Sequence, residues 1–168
     1  MKSFWTPYII VLIAQLLLSN YFTFTPWITV SILPAMVLCI PGRIKTVGAM
    51  FIAFFTGLCV DFIAGGVIGL NSLALVPVAL VREKVINLVF GPELRSRKKD
   101  FSIRRNGLGE ISIAHILCLA LFLVIYVWAD AAGTRSFGFN AGRFAASLGV
   151  SFLFGLLAIR ALASSDTR

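Results

Sequence analysis

The chain contains 168 residues, of which 59% are hydrophobic and only 13% are charged. Its mean hydropathy is +0.95, whereas a soluble domain is about half apolar and about a quarter charged. The composition therefore excludes an ordinary soluble domain and predicts an integral membrane protein. The apolar residues form continuous runs and do not alternate with polar residues, which favours membrane helices over a β-barrel.

Fifteen Lys and Arg residues against seven Asp and Glu residues give a net charge of +8. In a soluble protein such an excess would suggest a nucleic-acid partner. In a membrane protein, basic residues gather on the cytoplasmic side and set the orientation of the chain. We therefore predict contact with membrane lipids and no nucleic-acid partner.

Six apolar segments follow one another along the chain and predict an all-α membrane protein with a single transmembrane domain, residues 1–168, built as a bundle of about six helices. The predicted spans are approximately residues 7–22, 26–40, 47–63, 70–90, 111–129 and 143–162. The second span would give about 22 Å of helix, which is short for about 30 Å of hydrocarbon. In the fourth span, the charged triplet Arg82-Glu83-Lys84 is expected at the membrane interface, with the basic side chains reaching towards water.

The distribution of basic residues predicts the orientation of this bundle. With the N-terminus in the cytoplasm, Arg135 and Arg143 are the only members of the fifteen basic residues that fall outside. This asymmetry predicts that both the N-terminus and the C-terminus are cytoplasmic.

The longest connection is the basic loop 91–110, which the same orientation places in the cytoplasm. Such a loop can bind anionic lipid headgroups or a cytoplasmic protein, or it can serve only to fix the topology. Its six basic residues are Arg95, Arg97, Lys98, Lys99, Arg104 and Arg105.

The sequence holds no recognisable arrangement of catalytic or metal-binding residues. His115 is the only histidine and belongs to no known catalytic or metal-binding motif, so we interpret it as a hydrogen-bonded structural residue. The three cysteines lie in different apolar runs and lack the spacing of a zinc site. We therefore predict no catalytic residue, no metal, no cofactor and no enzymatic activity. Within the first span, Gln15 is expected to form a hydrogen bond between helices.

Small residues recur at every fourth position in the third span and lead to an aspartate. Residues four apart share one face of a helix, and small residues let two helices approach closely in lipid. This face predicts either packing inside the protein or a docking surface for a partner helix. It consists of Ala49, Ala53, Gly57, Asp61 and Gly65, and the sixth span carries a shorter version with Ser147, Ser151 and Gly155.

Asp61 lies near the outer end of the third span, directly before a glycine-rich hairpin that contains Gly65, Gly66 and Gly69. The N–H groups of such a turn need acceptors because little water reaches that depth. One interpretation is that the carboxylate accepts these N–H groups and fixes the turn, while Asn71 caps the next helix. The other interpretation is a contact site for a partner or an ion, since a charge within a membrane span is commonly functional.

The run CIPGRIKTVGAMFIAFFTGLCVDFIAGGVIGLNSLAL, residues 39–75, resembles the core of the rod shape-determining protein MreD family. In that family a short span ends at a proline and a basic residue, a Gly-x-x-x-Asp motif follows, and a turn ending in Leu-Gly leads to another span. The matching positions here are Pro41, Arg43, Gly57, Asp61, Ile68 and Gly69, with isoleucine in place of the more usual leucine, and the run Gln15-Leu16-Leu17-Leu18 also fits. The resemblance covers approximately residues 10–90, and beyond them only the hydropathy matches.

This resemblance implies a non-catalytic component of the bacterial inner membrane that supports lateral peptidoglycan synthesis and cell shape. The implied partners are the bitopic protein MreC, the actin-like MreB filament, and the RodA glycosyltransferase with its class B penicillin-binding partner. The family is also thought to share a fold with the small-molecule-binding subunits of energy-coupling-factor transporters. That link supplies an alternative function, a solute-binding membrane subunit with a pocket near Asp61 and Asn71.

Overall fold

The computed structural model describes residues 5–22, 28–42, 44–64, 67–91 and 108–164. Helices are the only regular secondary structure in these ranges. The helices are α1 (Trp5–Phe22), α2 (Leu33–Leu38), α3 (Thr46–Ala64), α4 (Leu70–Phe90), α5 (Leu108–Ala131) and α6 (Phe137–Ser164). The basic residues of the predicted loop 91–110, together with Arg43, Gly65 and Gly66, lie outside the described residues.

Each of the predicted spans except the second overlaps a helix, although two of those helices begin three or more residues earlier than expected. Helix α5 begins at Leu108, inside the predicted loop 91–110, and α6 begins at Phe137, ahead of the predicted residue 143. The earlier start of α6 has a local cause. The Ser136 hydroxyl accepts the N–H of Phe139 at 3.4 Å and the Ser136 carbonyl accepts the N–H of Asn140 at 3.2 Å, so Ser136 caps the helix.

Three of the described helices are long and apolar enough to cross a membrane: α3, α5 and α6. Helix α1 contributes a shorter apolar stretch, Trp5–Asn20, and α4 is 21 residues long but carries the charged triplet 82–84. These lengths and compositions indicate a membrane protein.

The prediction of a helix over residues 26–40 is wrong. Of residues 28–40, which the structure describes, only Leu33–Leu38 is helical, and residues 28–32 have no regular secondary structure. Pro34 occupies the first turn of α2, where its missing N–H costs no hydrogen bond. Six residues rise about 9 Å, so α2 alone cannot cross a bilayer. We call residues 28–40 the inner segment.

The inner segment forms the centre of the bundle. Every residue of α2 is buried, and all of the other helices contact it. Irregular backbone at membrane depth is tolerated only where protein buries it and satisfies its polar groups. The surrounding helices therefore supply the environment that lets this part of the chain depart from a helix.

Helices α3 and α4 form a closely packed hairpin. A Cβ atom added to Gly57 would lie 2.6 Å from the backbone nitrogen of Ser72 and 2.7 Å from its Cα atom, which is too close for any side chain. The Ser72 hydroxyl donates a hydrogen bond across the hairpin to the carbonyl of Phe54 at 2.9 Å. The small residue at position 57 thus brings the two backbones together and positions the turn that follows Asp61.

Candidate functional site

The Asp61 carboxylate lies beneath the turn between α3 and α4 and is 2% exposed. It accepts the N–H of Gly69 at 3.0 Å and the N–H of Asn71 at 3.2 Å. The side-chain amide of Asn71 donates to it at 2.7 Å. Gly69 has a φ of +91°, a conformation that glycine adopts readily. This is the turn-fixing geometry that the sequence predicts.

Asn71 has a different role from the one predicted. Its side chain donates to Asp61 and does not cap α4, whose N-cap residue Gly69 makes no side-chain hydrogen bond. The first N–H groups of a helix need acceptors from outside the helix, and here the carboxylate of the preceding helix supplies one. A single aspartate therefore fixes the turn and accepts a backbone N–H group in the first turn of the next helix.

Two serines of α6 hydrogen-bond the backbone of the inner segment. The Ser147 hydroxyl accepts the N–H of Thr29 at 2.9 Å. The Ser151 hydroxyl accepts the N–H of Ser31 at 3.0 Å and donates to the carbonyl of Thr29 at 3.1 Å. These hydroxyls replace the bonds that a helix would have provided, which explains how residues 28–32 remain irregular inside the bundle.

Gln15 of α1 continues this pattern from the opposite side of the inner segment. Its side-chain carbonyl accepts the N–H of Ile32 at 2.7 Å. Its amide donates to the Ser19 hydroxyl at 2.8 Å and, less closely, to the carbonyl of Val30 at 3.4 Å. The predicted bond between helices therefore joins α1 to the backbone of the inner segment.

Arg82 lies beside the C-terminal end of the inner segment. The prediction that its side chain reaches towards water is wrong. It is buried and donates from Nε to the carbonyl of Leu38 at 3.2 Å and from Nη2 to the carbonyl of Ile40. The last carbonyls of a helix lack partners and carry partial negative charge, so a cation there is favourable. The short helix α2 thus gains from α4 the cap that its own sequence does not provide.

At the N-terminal end of the inner segment, Arg143 connects α6 to α5 and to the inner segment. Its guanidinium pairs with the Asp130 carboxylate of α5 and donates to the Thr29 hydroxyl at 2.9 Å. Two buried polar atoms in this region have no partner among the described residues, namely Oδ1 of Asn140 and Nε of Arg143. Sequence reasoning assigned Arg143 only to the outer surface and missed these contacts.

His115 is fully buried in α5 and stacks on Phe152 at a centroid distance of 5.7 Å. Neither ring nitrogen has a hydrogen-bond partner in the described part of the chain. The Ser151 backbone lies nearby but does not meet the geometry of a hydrogen bond. The prediction of a hydrogen-bonded histidine is therefore wrong. The ring occupies the space that a side chain at Gly155 would fill.

Both small-residue faces point into the protein. Ala49, Ala53, Gly57 and Asp61 are buried, as are Ser147, Ser151 and Gly155, and Gly65 lies outside the described residues. The burial of the described members of both faces favours the internal-packing interpretation over docking of a partner helix.

Within the described ranges, no group of three or more His, Cys, Asp or Glu side chains is arranged to hold a metal ion. The cysteines are free thiols. No protein-family profile matches the chain, and neither a curated protein nor a solved structure shows detectable similarity to it. The fold and the site thus define a helical membrane protein in which several buried polar side chains bind the chain's own backbone.

Proposed function

We propose that this protein is a non-catalytic membrane scaffold of the MreD type, a component of the bacterial cell-elongation complex that supports lateral peptidoglycan synthesis and cell shape. The particular assignment comes from the resemblance of residues 39–75 to that family. The scaffold character is supported by one observation: six of the buried polar side chains hydrogen-bond the backbone of this same chain. They are Gln15, Asp61, Ser72, Arg82, Ser147 and Ser151.

A binding or catalytic site requires polar groups that converge on a space for a ligand. In this protein the carboxylate of Asp61 is directed to the hairpin turn, and the guanidinium of Arg82 is directed to the end of α2. Side chains that are already hydrogen-bonded to the backbone stabilise the fold and leave few donors or acceptors for a substrate. The arrangement therefore favours a rigid structural part over a solute carrier or an enzyme.

The scaffold would lie in the inner membrane with both termini in the cytoplasm, contacting MreC and, through it, MreB and the RodA–penicillin-binding protein synthase. Because the two small-residue faces are buried, the surfaces left for partners are the exposed apolar helix faces and the basic cytoplasmic loop. A partner helix would therefore contact exposed side chains of α3 such as Phe51 and Phe55, and not the buried face that contains Gly57.

One observation favours the alternative, a solute-binding membrane subunit. The partnerless atoms of Asn140 and Arg143 lie at the end of the bundle that the orientation places outside, where a solute would enter. In that case the two residues would bind an anionic or amide-bearing solute.

Depletion of the protein in its own cells tests the proposal. We expect rod-shaped cells to become round and to recover when the wild-type chain is supplied. We also expect an affinity tag on this protein to recover MreC from solubilised membranes. Normal cell shape combined with lost uptake of a vitamin-like solute would overturn the scaffold and support the alternative.

A further inference from the structure

The turn between α3 and α4 carries an unusual set of exposed side chains. Phe62 and Ile63 at the end of α3 and Val67 and Ile68 in the turn are between 60% and 78% exposed. We call these four residues the apolar tip. A turn between helices that reaches water is normally polar, so the composition of this tip suits an apolar environment better than water.

The chain around the tip contains almost no charge. Between Lys45 and Arg82 the only charged residue is Asp61, and its carboxylate is turned inward to the N–H groups of the turn. The apolar tip is thus continuous with the lipid-facing surface of α3, where Phe51 and Phe55 are also exposed.

The length of α3 places the tip at the edge of the hydrocarbon. Helix α3 has 19 residues and therefore rises about 28 Å, close to the roughly 30 Å of a bilayer core. Lys45 directly precedes it and marks one membrane boundary. The opposite end of α3 then lies at the other boundary, without a polar residue to bring the turn into water.

The neighbouring turn at the same end of the bundle has the opposite character. Arg82, in the second half of α4, contacts the inner segment at Leu38 and Ile40, whereas Arg143 contacts it at Thr29. The start of α4 and the α5–α6 turn therefore lie at the same end of the bundle. The α5–α6 turn exposes Thr134 and Arg135, which suit water. The two turns at this end of the bundle thus differ in the polarity of their exposed side chains.

We propose that the apolar tip is a lipid-contacting element, inserted among the acyl chains at the membrane boundary and never exposed to water. The N–H groups of the turn can remain in this environment because Asp61 accepts two of them. This inference does not depend on the proposed function, since it concerns the contact between this chain and lipid alone.

Thiol labelling of the purified full-length chain in phosphatidylcholine nanodiscs tests the inference. Single cysteines are introduced by Val67→Cys and Ile68→Cys in a background with the native cysteines replaced by alanine, and Arg135→Cys serves as the matched exposed control. Because the thiolate is the reactive form and is disfavoured in hydrocarbon, we expect both tip cysteines to react with a charged maleimide at least about tenfold more slowly than the control. If that background does not fold, the cysteines are added to the wild-type chain and its own rate is subtracted.

A second readout identifies what surrounds the tip. A fluorophore attached at position 67 should be quenched by lipids brominated near the headgroup, and the one at position 135 should not. Reaction at position 67 as fast as at position 135 would overturn the inference. Slow reaction without quenching, together with cross-links between copies of the chain, would also overturn it by showing that a second copy covers the tip.

Discussion

At the scale of single residues, Asp61 shows how a charge can be retained inside an apolar hairpin. The carboxylate is 2% exposed and would be costly in hydrocarbon without partners. Its two oxygens accept hydrogen bonds from the backbone of Gly69 and from the backbone and side chain of Asn71. The aspartate is therefore explained by the turn that follows it, with no catalytic role required.

Substitution of Asp61 tests this explanation. Asp61→Asn keeps one oxygen acceptor for the turn, whereas Asp61→Leu leaves the N–H groups of Gly69 and Asn71 without their partner at a cost of about 1–3 kcal/mol each. We expect the thermal midpoint of the purified protein in detergent to fall modestly for Asn and strongly for Leu. Glu110 is exposed and serves as the control. Glu110→Leu also removes one negative charge and should leave the midpoint unchanged. Wild-type midpoints for both Asp61 variants would contradict the explanation.

Gly155 gives a second residue-level prediction, since a methyl group there meets the His115 ring. We expect Gly155→Ala to destabilise the protein by about 1–3 kcal/mol through overpacking. Nothing lies within 4 Å of a Cβ added to Gly149 on the same helix, so Gly149→Ala should be neutral or slightly stabilising. A double variant with His115→Ala should recover part of the loss at position 155. Equal midpoints for the two glycine variants would show that the ring does not fill this space.

At the scale of elements, the inner segment is the part that sequence reasoning could not predict. Its hydropathy favours a helix, and Pro34 accounts only for the start of α2. The serines that replace its helical bonds lie 118 and 120 positions away in the chain. The spacing of Ser147, Ser151 and Gly155 indicates small residues on one face of a helix, but the hydrogen bonds made by the hydroxyls depend on the tertiary structure.

Arg82 tests how much the inner segment depends on its neighbours. Arg82→Met leaves the carbonyls of Leu38 and Ile40 without donors, so we expect a loss of about 1–3 kcal/mol. Arg82→Lys retains the charge but not the planar fork, and its midpoint should fall between those of wild type and Met. Lys84→Met removes an exposed charge on the same helix and is the matched control. An Arg82→Met variant as stable as wild type would show that these carbonyls do not require the guanidinium.

At the scale of the whole molecule, composition and periodicity predict the helical class and most helix positions well. The bounds of α4 agree with the predicted span, and those of α1 and α3 agree to within two residues, because long apolar runs leave few alternatives in lipid. The turn around Asp61 could also be predicted, since its donors lie within ten residues of the acceptor. The contacts of Arg82 and Arg143 could not, because each joins residues more than ten positions apart in the chain.

The orientation of the bundle is a separate prediction at this scale. A reporter that is active only in the cytoplasm should be active when fused to either terminus. A reporter of the opposite kind, which is active only outside the cytoplasm, should be active when inserted after Thr134. This result follows from the asymmetry of the basic residues. A C-terminal fusion active outside the cytoplasm would contradict the six-pass arrangement.

We infer that buried side chains hold the irregular backbone of the inner segment. Site-resolved amide hydrogen exchange in nanodiscs measures this at single amides. The amides of Thr29, Ser31 and Ile32 should exchange as slowly as those of α5, although they lie outside any helix, because side chains accept them. Ser147→Ala should accelerate exchange at Thr29 and leave Ile32, which is bonded to Gln15, unchanged. Rapid exchange at all three amides in the wild-type protein would show a hydrated interior and contradict the claim.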